Sequence, residues 1–415
     1  MYKVLEPIKV GNFTLKNRMM FLAMAKYIDN EDYTISDREI AYMAERAKGG
    51  AAVVCTGCCV IDNDYPGRLP NQPGMFDDKF IPGMKKLADA VHQYGALVLM
   101  QPLHHGIANY NASKETEKNP NNFTREDMEH LKQLYVDAAI RCKKAGIDGF
   151  EIHAAHNYLL QEFMVPKWNA RTDEYGIQNP ENASRFICEI VRAVREAVGL
   201  DFLLPFKVNG SDFVEGGCDI EFVSECCKYV EAAGVDFIAV SGGGSESNIF
   251  AMSADGHREE GWKVPLAEVV KSKVKIPVMG TGSIRTPAYI EEILSAGKVD
   301  MIGMGRGLLA EPEWINKVAA GRECDLNQCI NCLQCFDIAP IPGNSGCSVN
   351  PYALRESEHL VPRKDGQGRV VAVIGGGAAG MQAAITLAER AFQPVIFEET
   401  ASLGGPERYA AMPEG

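Results

Sequence analysis

EAAGVDFIAV (residues 231–240) closes an amphipathic helix with a glycine and runs straight into a short apolar strand. The same unit recurs as AERAKGGAAVV (44–54), AVHQYGALVLM (90–100), RCKKAGIDGFEI (141–152), REAVGLDFLL (195–204) and LSAGKVDMIGM (294–304). Glycine suits the helix end because it enters the left-handed region without a Cβ penalty. Strands of four to six mostly apolar residues are buried on both faces, and the helices between them make parallel crossovers. A first strand near Met19–Met24 and a seventh at Pro277–Gly280 bring the number to eight. Eight such units predict a (β/α)8 barrel over residues 1–320, with its site at the C-terminal ends of the strands.

Polar residues collect at those ends. Gln101 ends strand three, His153 and His156 follow strand four, Lys207 lies on strand five, Gly282 follows strand seven, and Gly305 and Arg306 follow strand eight. Glycines after the last two strands are where barrels commonly hold a phosphate on backbone N–H groups, and Arg306 adds a fork of charge. A surface ion pair is the plain alternative for Arg306. Histidines spaced i, i+3 beside Tyr158 could likewise bond backbone or hold a metal.

After the barrel, Cys329, Cys332, Cys335 and Cys347 read C-x2-C-x2-C-x11-C. Three thiolates on a tight loop and a fourth from outside it suit an iron–sulfur cluster, one soft ligand per iron. A zinc ribbon would pair two C-x2-C knuckles across a longer gap. Cys324 stands C-x4-C before Cys329, so a plant-type two-iron spacing stays open. Disulfides fit poorly with 13 cysteines in a chain whose start, MYKVLEPIKV, carries no apolar leader. A cytoplasmic setting is expected, and no run of 18 apolar residues suggests a membrane span.

The charge balance, 42 basic against 55 acidic residues for a net −13, argues against nonspecific binding to nucleic acid or anionic membrane and points to a small-molecule substrate. The cysteine segment occupies 321–356, a linker of charge, proline and glycine 357–368, and a further unit 369–415. In that unit VVAVIGGGAAGMQAAITLAERAFQPVIFEE (370–399) reads as strand, Gly375-x-Gly377-x-x-Gly380 turn, helix and strand, ending at the acidic Glu398. This order places a pyrophosphate at the helix N-terminus and the Glu398 carboxylate on a ribose hydroxyl. About 45 residues supply one βαβ unit where a dinucleotide fold uses two, so this domain is expected to be incomplete, either as part of a longer enzyme or in a naturally short protein.

The chain resembles the old yellow enzyme family, the NADH:flavin oxidoreductases, and more closely its iron–sulfur branch of 2,4-dienoyl-CoA reductases, enoate reductases and trimethylamine dehydrogenase. KNRMMFLAM (16–24), YMAERAKGG (42–50), GFEIHAAHNYLLQEF (149–163), NARTDEYG (169–176), IPVMGTGSI (276–284), VDMIGMGRGLLAEPEW (299–314) and the cysteine run carry the likeness. It implies FMN in the barrel, a [4Fe–4S] cluster after it, and FAD with a nicotinamide nucleotide in a complete C-terminal region. Ala23, Met24 and Ala25 would line the flavin ring, Gln101 would bond its pyrimidine edge, and Lys207 would lie near N1 and the C2 carbonyl. Gly282, Gly305 and Arg306 would take the phosphate. His153 and His156 match the pair that grips a substrate carbonyl oxygen, and Tyr158 matches the proton donor. Reducing an activated C=C needs hydride at Cβ, a proton at Cα and donors where enolate charge develops, and these three side chains could supply the last two.

Some positions depart from the family pattern. Ala23 stands for the usual proline, Ile107 for an arginine after strand three, and Asn157 for a glycine before the tyrosine. No cysteine lies in Met24–Tyr27, which removes a covalent flavin link, and Ser241–Ala251 lacks the histidine of a dienoyl-CoA reductase. The expectation is an NAD(P)H-linked ene-reductase acting on an enone, enoate or enoyl thioester, possible as a homo-oligomer. Substrate oxidation by the same flavin, and a noncatalytic flavin and cluster module that feeds a partner, are the alternatives.

Overall fold

The structure is a computed structural model in which residues 2–63, 71–104, 106, 119–244, 258–337, 346–358 and 363–406 are described. Ile107, most of Ser241–Ala251 and linker residues 359–362 lie outside them. The chain forms two compact units, Met1–Ser357 and Glu358–Gly415.

The first unit begins with an antiparallel hairpin, β1 (Ile8–Val10) and β2 (Phe13–Leu15). It continues with β3 (Met19–Phe21), β4 (Val53–Val60), β5 (Leu97–Leu103), β6 (Gly149–Phe150), β7 (Ile152–Ala154), β8 (Phe206–Asn209), β9 (Ile238–Ser241), β10 (Val278–Gly280) and β11 (Met301–Met304). These nine strands pair in parallel in the order β6-β5-β4-β3-β11-β10-β9-β8-β7. The two ends of that order, β6 and β7, are consecutive in the chain, so the sheet is a nearly closed barrel. The fourth strand expected from sequence is the one that is split. At Glu151 the ladder changes partner: Glu151 N donates to Met100 O on β5, while Ile152 N donates to Pro205 O beside β8.

Alternation along the strands divides the apolar residues into two cores. Met20, Val53, Leu99, Leu203, Phe237, Met279 and Met301 point into the barrel, where Val10 and Leu15 of the hairpin join them and plug its N-terminal end. Phe21, Val54, Val98, Phe206, Ile238 and Ile302 face outward into the core shared with the helices. A small device repeats below the strands. Asp148, Asp236 and Asp300, each in the turn before a strand, accept the backbone N–H of Val98 at 2.8 Å, Leu204 at 2.7 Å and Val278 at 3.0 Å. Each carboxylate thus satisfies a donor at the start of the neighbouring strand and helps set its register. The helix-ending glycines Gly146 (φ +81°) and Gly234 (φ +115°) are left-handed, whereas after Lys48 that role passes to Gly50 (φ +107°) because Gly49 stays helical.

The second unit contains β12 (Val370–Ile374), a helix at Ala378–Glu389 and β13 (Gln393–Phe397), the two strands paired in parallel. Val370, Ile374, Val395 and Phe397 remain exposed, since two strands and one helix cover little surface. Among the described residues, no helix is long and apolar enough to cross a membrane.

Candidate active site

The strand ends open into one cavity of about 290 Å³ of water-accessible space. All eleven barrel residues singled out in the sequence line it: Ala23, Met24, Ala25, Gln101, His153, His156, Tyr158, Lys207, Gly282, Gly305 and Arg306. Their convergence follows from topology, because strands far apart in sequence end on the same rim.

One wall is polar and buried. Gln101 and Lys207 are 2% and 3% exposed, and both lean on Glu151, which is fully buried. Lys207 Nζ lies 3.3 Å from Glu151 Oε2, and Gln101 Nε2 donates to the same oxygen. That contact holds the carboxamide with Oε1 toward the cavity, where the Cys58 thiol donates to it at 3.8 Å. Sequence reasoning missed Glu151, although its two-residue offset from His153 already puts both on the inward face.

Beside this wall stand three rings, His153 being the direct neighbour of Lys207 in the ladder between β7 and β8. His153 and His156 have centroids 5.1 Å apart at 85°, and His153 and Tyr158 4.9 Å apart at 66°. His156 and Asn157 both take φ +61°, which turns the loop sharply after β7. Ser241 at the end of β9, another residue the sequence did not flag, holds His156 Nε2 through its hydroxyl at 2.8 Å. Burial, with Lys207 nearby, pushes His153 well below the usual imidazole range; burial, His153, Lys207 and Lys263 do the same to His156. Both rings are therefore neutral near pH 7. His153 Nδ1 is buried with no partner among the described residues, an orphan that a ligand oxygen or donor in the cavity could satisfy. Burial, the neighbouring Cys58 and Tyr27, and a hydrogen bond to Cys58 raise Tyr158 well above the normal phenol range, so it keeps its proton.

The third wall suits an anion. Gly282 has φ +115°, and a Cβ there would lie 2.9 Å from Lys263 N. A Cβ on Gly305 would lie 3.0 Å from Met24 Sδ. Arg306 Nη2 donates to Ser283 Oγ at 3.1 Å. Only glycine leaves these backbones open, and with Arg306 they fit the phosphate of a flavin mononucleotide. Lys263, also unnoticed in the sequence, completes this wall and donates from Nζ to Gly242 O at 2.7 Å.

The cysteine segment belongs to the same unit. Cys329, Cys332, Cys335 and Cys347 line one small pocket with Leu309, Leu333 and Arg306, and Cys324 is exposed outside it. Cys329, Cys335 and Arg306 also line the large cavity, so the two spaces share a wall. Among the described residues, no three His, Cys, Asp or Glu side chains stand as a ready-made metal site. Four soft donors around one apolar-walled pocket nevertheless match the chemistry of a cluster. Burial raises the Cys329 and Cys335 thiols. At Cys332 burial is outweighed by hydrogen bonds from Ser348 and the backbone and by Arg306, so that thiol is lowered.

In the second unit Gly375 has φ +93°, Gly377 caps the helix, and a Cβ on Gly380 would lie 1.9 Å from Gly375 O, the close strand–helix approach that the third glycine of this motif permits. Glu398 Oε2 accepts Gly376 N at 2.7 Å, so the carboxylate lies against the glycine turn.

Residues 3–325 match the sequence profile of the NADH:flavin oxidoreductase / NADH oxidase family, and residues 370–411 match that of an FAD binding domain. The chain is 37% identical to an NADH oxidase of Thermoanaerobacter brockii over 98% of its length and 65% of that protein's. It is 31% identical to a cinnamate reductase of Clostridium sporogenes over 97% and 66% of the two chains. Among solved structures, a 2-naphthoyl-CoA reductase complex superposes with a TM-score of 0.88 at 30% identity, covering 97% of this chain and 65% of that one. The chain thus spans just under two thirds of the length of these relatives.

Proposed function

Because the chain belongs to the NADH:flavin oxidoreductase / NADH oxidase family, the old yellow enzyme family, we propose that its barrel holds FMN and reduces an activated C=C of an enone, enoate or enoyl thioester. One observation carries this reading: a neutral phenol and two neutral imidazoles share a cavity with a glycine and arginine cradle and with a buried amide–carboxylate–ammonium wall. Gly282, Gly305 and Arg306 would hold the phosphate, Ala23, Met24 and Ala25 the ring, and Gln101 and Lys207 its pyrimidine edge. FMN, when bound and reduced, supplies hydride to Cβ.

The side chains do the rest. His153 and His156, neutral, donate N–H groups to the carbonyl oxygen and stabilise the charge that grows there. Tyr158 gives its proton to Cα. A phenol held above its normal range carries its proton at neutral pH and is available as the donor, and the full set of three supports catalysis over a passive electron carrier. Cys329, Cys332, Cys335 and Cys347 would hold a [4Fe–4S] cluster, whose chemistry is one-electron transfer. Gly375, Gly377, Gly380 and Glu398 would serve FAD, with a nicotinamide nucleotide as the proposed electron source.

The test is anaerobic purification and cofactor extraction, followed by mixing dithionite-reduced protein with 2-cyclohexenone. FMN, about four irons and sulfides, and oxidation of the flavin by the enone are expected. A protein that binds no FMN, or whose reduced FMN ignores enones, cinnamates and enoyl thioesters alike, would end this reading.

A further inference from the structure

Glu151 sits at the break between β6 and β7, and the break decides what it faces. Its backbone N–H keeps to Met100 O on β5, while Ile152 N has already moved to Pro205 O beside β8. Phe150 is level with Met100 and His153 with Lys207, so the Glu151 side chain enters the barrel between Gln101 and Lys207. There it is fully buried. Oε2 lies 3.3 Å from Lys207 Nζ and accepts Gln101 Nε2, and Oε1 is buried with no hydrogen-bond partner among the described residues. A carboxylate kept this dry costs stability, and Oε1 forms no hydrogen bond to offset that.

The charge acts through its neighbours. Gln101 and Lys207 line the large cavity and Glu151 does not, so they stand between it and whatever the cavity holds. Burial, with Lys207 nearby, keeps His153 neutral, and burial raises the thiols of Cys55 and Cys58, the second to about 11. The charges left at this edge are Lys207 and Glu151, and they cancel; Lys263 and Arg306 belong to the phosphate wall. Lys207 would border N1 and the C2 carbonyl of a flavin, where the reduced form carries its negative charge. An unopposed ammonium there stabilises reduced over oxidised flavin, and a carboxylate 3.3 Å from that ammonium removes part of the preference.

We propose that Glu151 is a positioning residue that lowers the reduction potential of bound FMN, by offsetting Lys207 and by fixing Gln101 with Oε1 toward the cavity. The inference rests on the reading that the barrel takes FMN. The couple is oxidised FMN plus two electrons and one proton, giving the reduced monoanion, with dithionite as the electron source. A lower potential makes the reduced flavin a stronger hydride donor, the property that a weakly activated C=C demands.

The experiment titrates FMN-loaded protein anaerobically with dithionite beside a reference dye at constant pH, and measures FMN affinity in both oxidation states. Glu151→Gln keeps an acceptor for Gln101 Nε2 and removes the charge. It should hold reduced FMN, relative to oxidised, roughly 10–100-fold more tightly than wild type does, a rise of about 30–60 mV for a two-electron couple. The double variant Glu151→Gln/Lys207→Met buries neither charge and should fold even if the single variant does not. Its potential should lie below that of Glu151→Gln and within about 30 mV, or tenfold, of wild type. An unchanged or lowered potential in Glu151→Gln overturns the proposal, as do FMN affinities that fall equally in both oxidation states, which a packing role would give. Where the single variant does not fold, a double variant more than tenfold away from wild type overturns it. Wild-type protein that binds no FMN sinks this inference and the FMN reading together; FMN bound at an unmoved potential in Glu151→Gln sinks the inference alone.

Discussion

Asp29→Asn should remove a pH dependence of stability that the fold builds into one buried carboxyl. Asp29 is 6% exposed, accepts Ser36 N at 3.0 Å and lies in a buried group with Glu39, Lys26 and Arg46. Burial pushes its carboxyl up to about 7, although the Ser36 N–H pulls the other way. An unfolded aspartate titrates near 3.9, so between these values the folded chain holds a proton that the unfolded chain has released. The contribution is fully present below the unfolded value and is lost as pH climbs toward 7. Three units correspond to about 4 kcal/mol, an upper figure because Glu39, itself raised by burial and by Asp29, shares the proton. Asparagine keeps the acceptor for Ser36 and cannot ionise. The variant should therefore lose the downward slope from pH 5 to 8 and be the more stable protein at pH 8. Urea unfolding followed by tryptophan fluorescence is the assay, since Trp168, Trp262 and Trp314 all lie in the barrel unit. Parallel stability curves for the two proteins would refute the reasoning.

Other expectations concern the cavity and the cysteines. Tyr158→Phe keeps the ring against His153 but removes the proton, so flavin reduction should be unchanged and reoxidation by an enone slowed roughly 10²–10⁴-fold in stopped flow. His153→Ala or His156→Ala should each weaken phenol ligands by roughly tenfold, and wild-type binding of a neutral phenol should be flat from pH 6 to 8 because both imidazoles are already neutral; a step near pH 6.5 would contradict this. Serine at Cys329, Cys332, Cys335 or Cys347 should strip iron while Cys324→Ser retains it, and the reverse pattern by iron analysis would favour a two-iron site. Gly282→Ala forces a left-handed alanine whose methyl meets Lys263 N, so a loss of about 1–3 kcal/mol in stability and weaker FMN binding are expected from melting and titration.

The sequence by itself determined the barrel, because its unit is local: a helix, a glycine and a doubly buried strand are readable within about ten residues, and eight of them leave few topologies. The residues at strand C-terminal ends followed from the same reading, since that rim is where such a fold gathers polar side chains. The cysteine spacing and the Gly375–Gly380 turn are local too. What only the tertiary structure decided was pairing across strands. Glu151 joins Gln101 and Lys207 from positions 50 and 56 residues away, Ser241 holds His156 across 85, and Lys263 runs beside Gly282. The split of the fourth strand at Glu151, the shared wall of the two pockets and the burial of Asp29 have the same origin. Each depends on strand register and on which face of a closing sheet a side chain takes, and both are set when distant segments pack, because one strand's pattern specifies its alternation but not the partner it meets.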